Sequence, residues 1–365
     1  MASSDFKLLF LGTGTSTGVP MIGCDCPVCR SADPHNRRLR SSIYISAGDL
    51  RVLVDTSPDF REQALKHNIR KVDAVLITHA HVDHLFGLDD IRRLNTIQKA
   101  DIPLYANSNG LNDIRRIFDY IFKPNVPGTY RPKLDLRSSD APFTIPPLTS
   151  SPAPSAPSSP APSCGTPSCG TPSCGTAVAD ADACGGDGEG RTQSFTSPAA
   201  FSVTPFPVVH GWTTTQGFRF DYDGASLAYM PDCNELPEGS RALIRGVDTL
   251  ILDTLRYRPH PTHLSLEQSL AVIADVKPRR AWLTHICHDL DHEKLTAELI
   301  EMGFPNVRPA YDGLEIELGG TEKATHCLSA DSSVNIFQRR NAEKSAPNLA
   351  SAHLRDSALK TTPHH

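Results

Sequence analysis

No stretch of this 365-residue chain approaches the roughly 20 consecutive apolar residues that a membrane-spanning helix requires, so a membrane-embedded protein is not expected. Its first residues, Met1 to Asp5, lack the basic start and apolar core of a secretory signal, and Lys7 to Leu11 already reads as a first strand. The expected setting is therefore cytoplasmic and reducing, where cysteines serve as thiols or metal ligands rather than disulfides. Charge is balanced and mildly negative: 36 Lys and Arg against 41 Asp and Glu, net −5. The glycines at Gly12, Gly14 and Gly18 are not followed by Gly-Lys-Ser/Thr and lack the helix start of a dinucleotide fingerprint. They are read as permitting a tight path from the first strand onward.

What the chain does have is ligand chemistry. His79-Ala80-His81-Val82-Asp83-His84 places three imidazoles and a carboxylate in six positions, directly after the apolar run Val72 to Ile77. That run is short and β-branched, which predicts a buried strand delivering the cluster to its end. Imidazole and carboxylate suit zinc, manganese or iron, and so dense a set can serve two adjacent ions. A second cluster, Cys24-Asp25-Cys26-Pro27-Val28-Cys29, offers three thiols that can wrap one tetrahedral zinc, with a fourth ligand from elsewhere. His288 is the expected fourth ligand, and Cys287 and Cys233 compete with it.

The His-x-His-x-Asp-His cluster resembles the motif of the metallo-β-lactamase superfamily. The resemblance implies an α/β fold, a four-layer αββα sandwich with metals at one edge. It also implies further ligands at distant strand ends, and three positions match: His210 after Phe206 to Val209, Asp232 ending Leu227 to Asp232, and His285 ending Ala281 to His285. By the family pattern, His79, His81 and His210 hold one divalent ion, and Asp83, His84 and His285 hold the other. Asp232 bridges them. Asp55, closing Arg51 to Asp55, is implied to hydrogen-bond the ligands rather than bind metal. Two cations ~3.5 to 4 Å apart would share a hydroxide that attacks an ester-like bond.

The thiol loop following Leu11 to Pro20 narrows the resemblance to the phosphoribosyl cyclic phosphate phosphodiesterases, which pair such a loop with a histidine beyond the last catalytic one, as Thr284-His285-Ile286-Cys287-His288 does. The function implied is opening of a small cyclic phosphate, with Asp83 in the catalytic centre and His263, just before an expected helix at Ser265 to Ala274, as general acid. Two Zn or Mn ions, one structural zinc, a small phosphodiester substrate and a homodimer complete the implied set. Arg256 and Arg258 are candidates for greeting a phosphate but equally for solvated charge.

Because the ligands must converge, a catalytic domain over residues 1–320 is expected. It is interrupted at 146–198 by a Pro/Ser/Ala/Gly-rich insert, read as disordered, and followed at 321–365 by a polar tail read likewise. The insert carries Asp180, Asp182, Asp187 and Glu189 against Arg191, and Phe195 is its only aromatic. That composition opposes an RNA-gripping arm, so a tRNA 3′-processing endonuclease is the lesser reading and nucleic acid is not an expected partner. Thioester hydrolysis and redox cofactor maturation, both compatible with a metal site in this fold, also compete with the diesterase reading. The repeat cysteines Cys164, Cys169 and Cys174, with Cys184, lack the closed turn of a zinc knuckle and are read as low-complexity expansion.

Overall fold

The computed structural model describes residues 5–124, 127–148 and 200–318. In chain order its strands are β1 (Phe6–Gly12), β2 (Ser42–Ala47), β3 (Leu50–Val54), β4 (Ala74–Leu76), β5 (Ile102–Ala106), β6 (Leu134–Ser138), β7 (Phe143–Thr144), β8 (Ser202–His210), β9 (Thr213–Tyr222), β10 (Ala225–Met230), β11 (Thr249–Asp253), β12 (Arg280–Thr284), β13 (Val307–Pro309) and β14 (Glu315–Glu317). The helices are α1 (Phe60–Lys66), α2 (Val82–Leu85), α3 (Ile91–Gln98), α4 (Ser108–Ile117), α5 (Asp119–Phe122), α6 (Glu238–Ile244), α7 (Leu266–Val276) and α8 (His292–Glu301).

Among the described residues these strands form two sheets, ordered β14-β1-β2-β3-β4-β5-β6 and β13-β12-β11-β10-β9-β8-β7. In the first, β3 to β6 run parallel; in the second, β10 to β13 do. The strands are apolar on both faces because both faces are covered. Val52, Val54, Ala74 and Leu76 of the first sheet meet Phe218, Leu227, Tyr229 and Ile251 of the second in one core between the sheets. The alternate residues point outward: Leu53 and Val75 pack under Phe60, Ile91, Leu94 and Ile114, while Ala228, Met230, Leu250 and Leu252 pack under Leu266, Leu270, Ile273, Leu295 and Leu299. The period of two along each strand thus generates the order helix, sheet, sheet, helix, the four-layer sandwich expected from the motif.

Strand β4 is shorter than the expected Val72 to Ile77. The Val72 N–H and carbonyl are bracketed by the Gln98 side chain at 2.7 and 2.9 Å, and the Asp73 carboxylate accepts from the N–H groups of Arg51 and Leu148, at 2.8 and 2.9 Å. Helix α7 runs two residues beyond Ala274, and Ser265 caps it in a reciprocal box with Gln268. The glycines of the first loop allow backbone to approach backbone. A Cβ at Gly12 would sit 2.0 Å from the Arg40 carbonyl oxygen, and Gly18 takes φ +65°.

Of the expected insert, only Pro146 to Leu148 fall among the described residues; the rest, with Cys164, Cys169, Cys174 and Cys184, lies outside them, as does the expected tail 321–365. The two pieces flanking the insert are neighbours: Phe143 pairs with Val203 and Thr144 with Ser202, antiparallel. No helix among the described residues is long and apolar enough to cross a membrane.

Candidate metal centres

The parallel strands of both sheets point their carboxyl ends at one edge, and the histidine cluster is assembled there. His79 and His81 occupy the loop after β4, and Asp83 and His84 the short helix α2. Across from them, His210 ends β8, Asp232 lies two residues beyond β10, and His285 follows β12. These side chains fall into two groups. In each, the candidate ligand atoms lie within 4.8 Å of one another: His79, His81, His210 and Asp232 in one, Asp83, His84, His285 and Asp232 in the other.

Asp232 belongs to both and divides its oxygens between them. Its Oδ1 is 3.1 Å from His84 Nε2 and from His285 Nδ1, while its Oδ2 is 3.7 Å from His79 Nε2 and from His210 Nε2. His84 Nε2 and Asp232 Oδ1 are fully buried and, among the described residues, have no hydrogen-bond partner. Buried polar atoms are rarely left so, and a cation held by both residues would satisfy them. Three carboxylates, Asp55, Asp83 and Asp232, converge on these imidazoles. Burial alone would neutralise His84, but Asp232, Asp83 and Asp55 outweigh it and hold its ring well above the usual imidazole range. Such negative charge, with nitrogen and oxygen donors only, fits two divalent cations of the zinc or manganese kind.

Hydrogen bonds behind the cluster set the face each ring presents. His84 Nδ1 donates to Asp55 Oδ2 at 2.8 Å, and His210 Nδ1 donates to the Thr262 carbonyl at 2.7 Å, which leaves Nε2 of each as the ligand atom. Asp55 also takes the Thr78 N–H at 2.8 Å, and the Thr78 hydroxyl links it to His79 Nδ1 at 3.0 Å. Asp55 therefore orients two rings while lying outside both ligand groups. Asp55 and His285 have left-handed backbones, φ 64° and 58°, uncommon for residues with a side chain.

His263 stands over the cluster. Its ring stacks on His285 at 4.7 Å and lies edge-on to His210 at 4.7 Å. Nδ1 donates to Asp253 Oδ2 at 2.8 Å. Burial favours the neutral ring, but Asp253 beside it outweighs this and pushes His263 up to about 9. Asp253 is a candidate site residue not expected from the sequence. Its signal was available, because it closes the apolar run Thr249–Asp253 as Asp55 closes its own. Ser41 Oγ and Thr15 Oγ1, each 3.3 Å from a nitrogen of His285, carried no such signal.

The thiols form the second centre. His288 Nδ1 lies 3.1, 3.5 and 3.6 Å from the sulfurs of Cys24, Cys26 and Cys29, and all four donor atoms lie within 4.8 Å of one another. Three thiols and an imidazole in that arrangement could hold zinc. Neither competing cysteine joins them: the Cys287 sulfur accepts from the Asp289 N–H at 3.4 Å, and Cys233 is fully buried beside Asp253. Arg256 is turned onto the carbonyls of Arg258 and Pro259, and Arg258 pairs with Asp289 at 3.4 Å.

Comparison with known proteins agrees with this geometry. The family model described as β-lactamase superfamily domain matches residues 50–182 and 188–286. An octanoyltransferase of Porphyromonas gingivalis is 32% identical over 313 residues, 85% of this chain. The chain spans about half of that protein, 51% of its length. A coenzyme PQQ synthesis protein B of Methylobacterium nodulans is 27% identical, over 68% of this chain and 72% of that protein. Among solved structures, a diphosphatase from the PhnP family is 35% identical with a TM-score of 0.64, covering 86% of this chain and 98% of that one. Human tRNase Z, short form, at 16% identity and a TM-score of 0.50, covers 86% of this chain and all of that one, and shares the fold.

Proposed function

This chain belongs to the β-lactamase superfamily and has the metallo-β-lactamase fold, and from that premise we propose that it is a metal-dependent phosphodiesterase that opens a small cyclic phosphate. The observation that carries the reading is the division of Asp232 between the two ligand groups, with His263 stacked directly over them. Similarity to a PhnP-family diphosphatase supports phosphorus, rather than carbonyl carbon, as the centre attacked.

His79, His81 and His210 would hold one cation, Asp83, His84 and His285 the other, with Asp232 between them. When bound, two divalent ions supply Lewis acidity, easing deprotonation of water and neutralising charge that gathers on the phosphoryl oxygens. The chain itself fixes geometry and moves a proton. Asp55 and the Thr262 carbonyl lock His84 and His210 in the tautomers that face inward. Asp253 holds His263 by Nδ1, so Nε2 is the proton donor for the departing alkoxide. The leaving oxygen takes that proton as its bond to phosphorus breaks, while a water forms the new bond to phosphorus on the opposite side and gives up one proton to the solvent, from which His263 is reprotonated.

Asp232→Ala is expected to lose the His/Asp-bound metal, keep the thiol-bound zinc and abolish turnover. Elemental analysis with a panel of ribose cyclic phosphates, cyclic nucleotides, linear diesters, diphosphates and thioesters checks it. Unaltered turnover in that variant would remove the two-ion mechanism. Thioester hydrolysis is the second reading, since the relative from Porphyromonas gingivalis is named for octanoyl transfer, and preference for thioesters in the panel would replace the phosphodiester assignment.

A further inference from the structure

One large side chain in the turn after β8 takes no part in the packing. Trp212 is 97% exposed, at the tip of the turn joining β8 to β9, two residues beyond the ligand His210. The turn beneath it is firmly seated. Gly211 takes φ +62° and donates its N–H to Asn234 Oδ1 at 2.6 Å, and a Cβ there would lie 2.8 Å from Thr262 Cγ2. Thr262 precedes His263, and its carbonyl holds His210. The turn thus ties the segment of His210 to that of His263, and the indole projects from it into solvent.

We propose that Trp212 determines specificity by stacking on a planar ring of the substrate, so that the phosphate ester accepted is a nucleotide; this rests on the phosphodiester reading above. An aromatic face left open to water suits a nucleobase, because every base presents a π-face and stacking needs no directional partner. A second copy of the chain fits the site poorly: Thr213 and Thr214 beside the indole are polar and exposed, and one isolated side chain falls far short of the roughly 800 Å² per partner that a stable interface buries.

The chain has two tryptophans, and the other, Trp282, is half-buried with Arg280 over its ring at 4.9 Å. In a Trp282→Phe variant the emission reports Trp212. AMP is expected to quench it saturably and ribose 5-phosphate to leave it unchanged. In the full-length protein, Trp212→Ala should raise KM for adenosine 2′,3′-cyclic phosphate about 5- to 100-fold, with kcat within about twofold. A cyclic phosphate of ribose alone should be unaffected, and Trp212→Phe should recover most of the loss. Emission indifferent to AMP, or equal losses with and without the base, would overturn the assignment, as would an emission shift with protein concentration that signals self-association. If neither cyclic phosphate is turned over, the phosphodiester reading fails, while quenching by AMP still decides the role of Trp212.

Discussion

Asp232 shows how much of the site rests on single atoms, since each of its two oxygens faces a different ligand group. The candidate ligands stand out in the sequence because apolar runs precede them, and a strand that must end at a sheet edge delivers whatever comes next. Asp253 obeys the same rule, but its place in the site is not legible in the sequence, because its partner His263 lies ten residues away and only the fold brings them within 2.8 Å. The left-handed backbones of Asp55 and His285 were not readable at all, because tertiary contacts impose them. His263→Ala is expected to keep its metal and slow diesters with poorly acidic leaving groups by about 100-fold or more, and activated esters much less. Asp253→Asn should show the same selectivity in milder form, since the ring survives but loses its anchor. Equal slowing of both ester types in His263→Ala would place the proton donor elsewhere.

At the level of elements, the first loop matters as much as the strands. Ile286 donates to the Thr13 carbonyl at 3.0 Å and accepts from the Thr15 N–H at 3.2 Å, so the loop that continues into the thiols is stitched to the segment carrying both His285 and His288. The glycine spacing announced a tight path, but not that its neighbour would be the backbone at Arg40. Gly12→Ala is expected to cost about 1–3 kcal/mol or more, read by denaturant unfolding, because the added methyl meets a carbonyl rather than a yielding side chain. Cys26→Ser should release the thiol-bound zinc. It should also speed amide exchange at Thr15 and Ile286 and weaken the His/Asp-bound metal about 10-fold, as loss of outer support commonly does. Unchanged exchange at those amides would show that the two centres are independent.

For the whole molecule, the alternation of apolar residues was enough to indicate the layers, whereas strand ends and the exact register of β7 on β8, far apart in the chain, depended on the fold. Since the Ile145 N–H donates to the Phe201 carbonyl at 3.2 Å, joining Leu148 to Ala200 leaves a short hairpin. A chain lacking 149–199 is therefore expected to keep its melting temperature within a few degrees and its turnover within about twofold, because closure entropy changes slowly with loop length. The sheets also trade strands: β7, from the first half of the chain, completes the second sheet, and β14, from the last part, completes the first. The candidate ligands divide the same way, with His79, His81, Asp83 and His84 in the first half of the chain and His210, Asp232 and His285 in the second. A chain cut once between 148 and 200 would thus remain a reciprocal clasp, each fragment holding the other's edge, and the metal would act as its lock. Fragments expressed separately should reassemble with metal and part under a chelator.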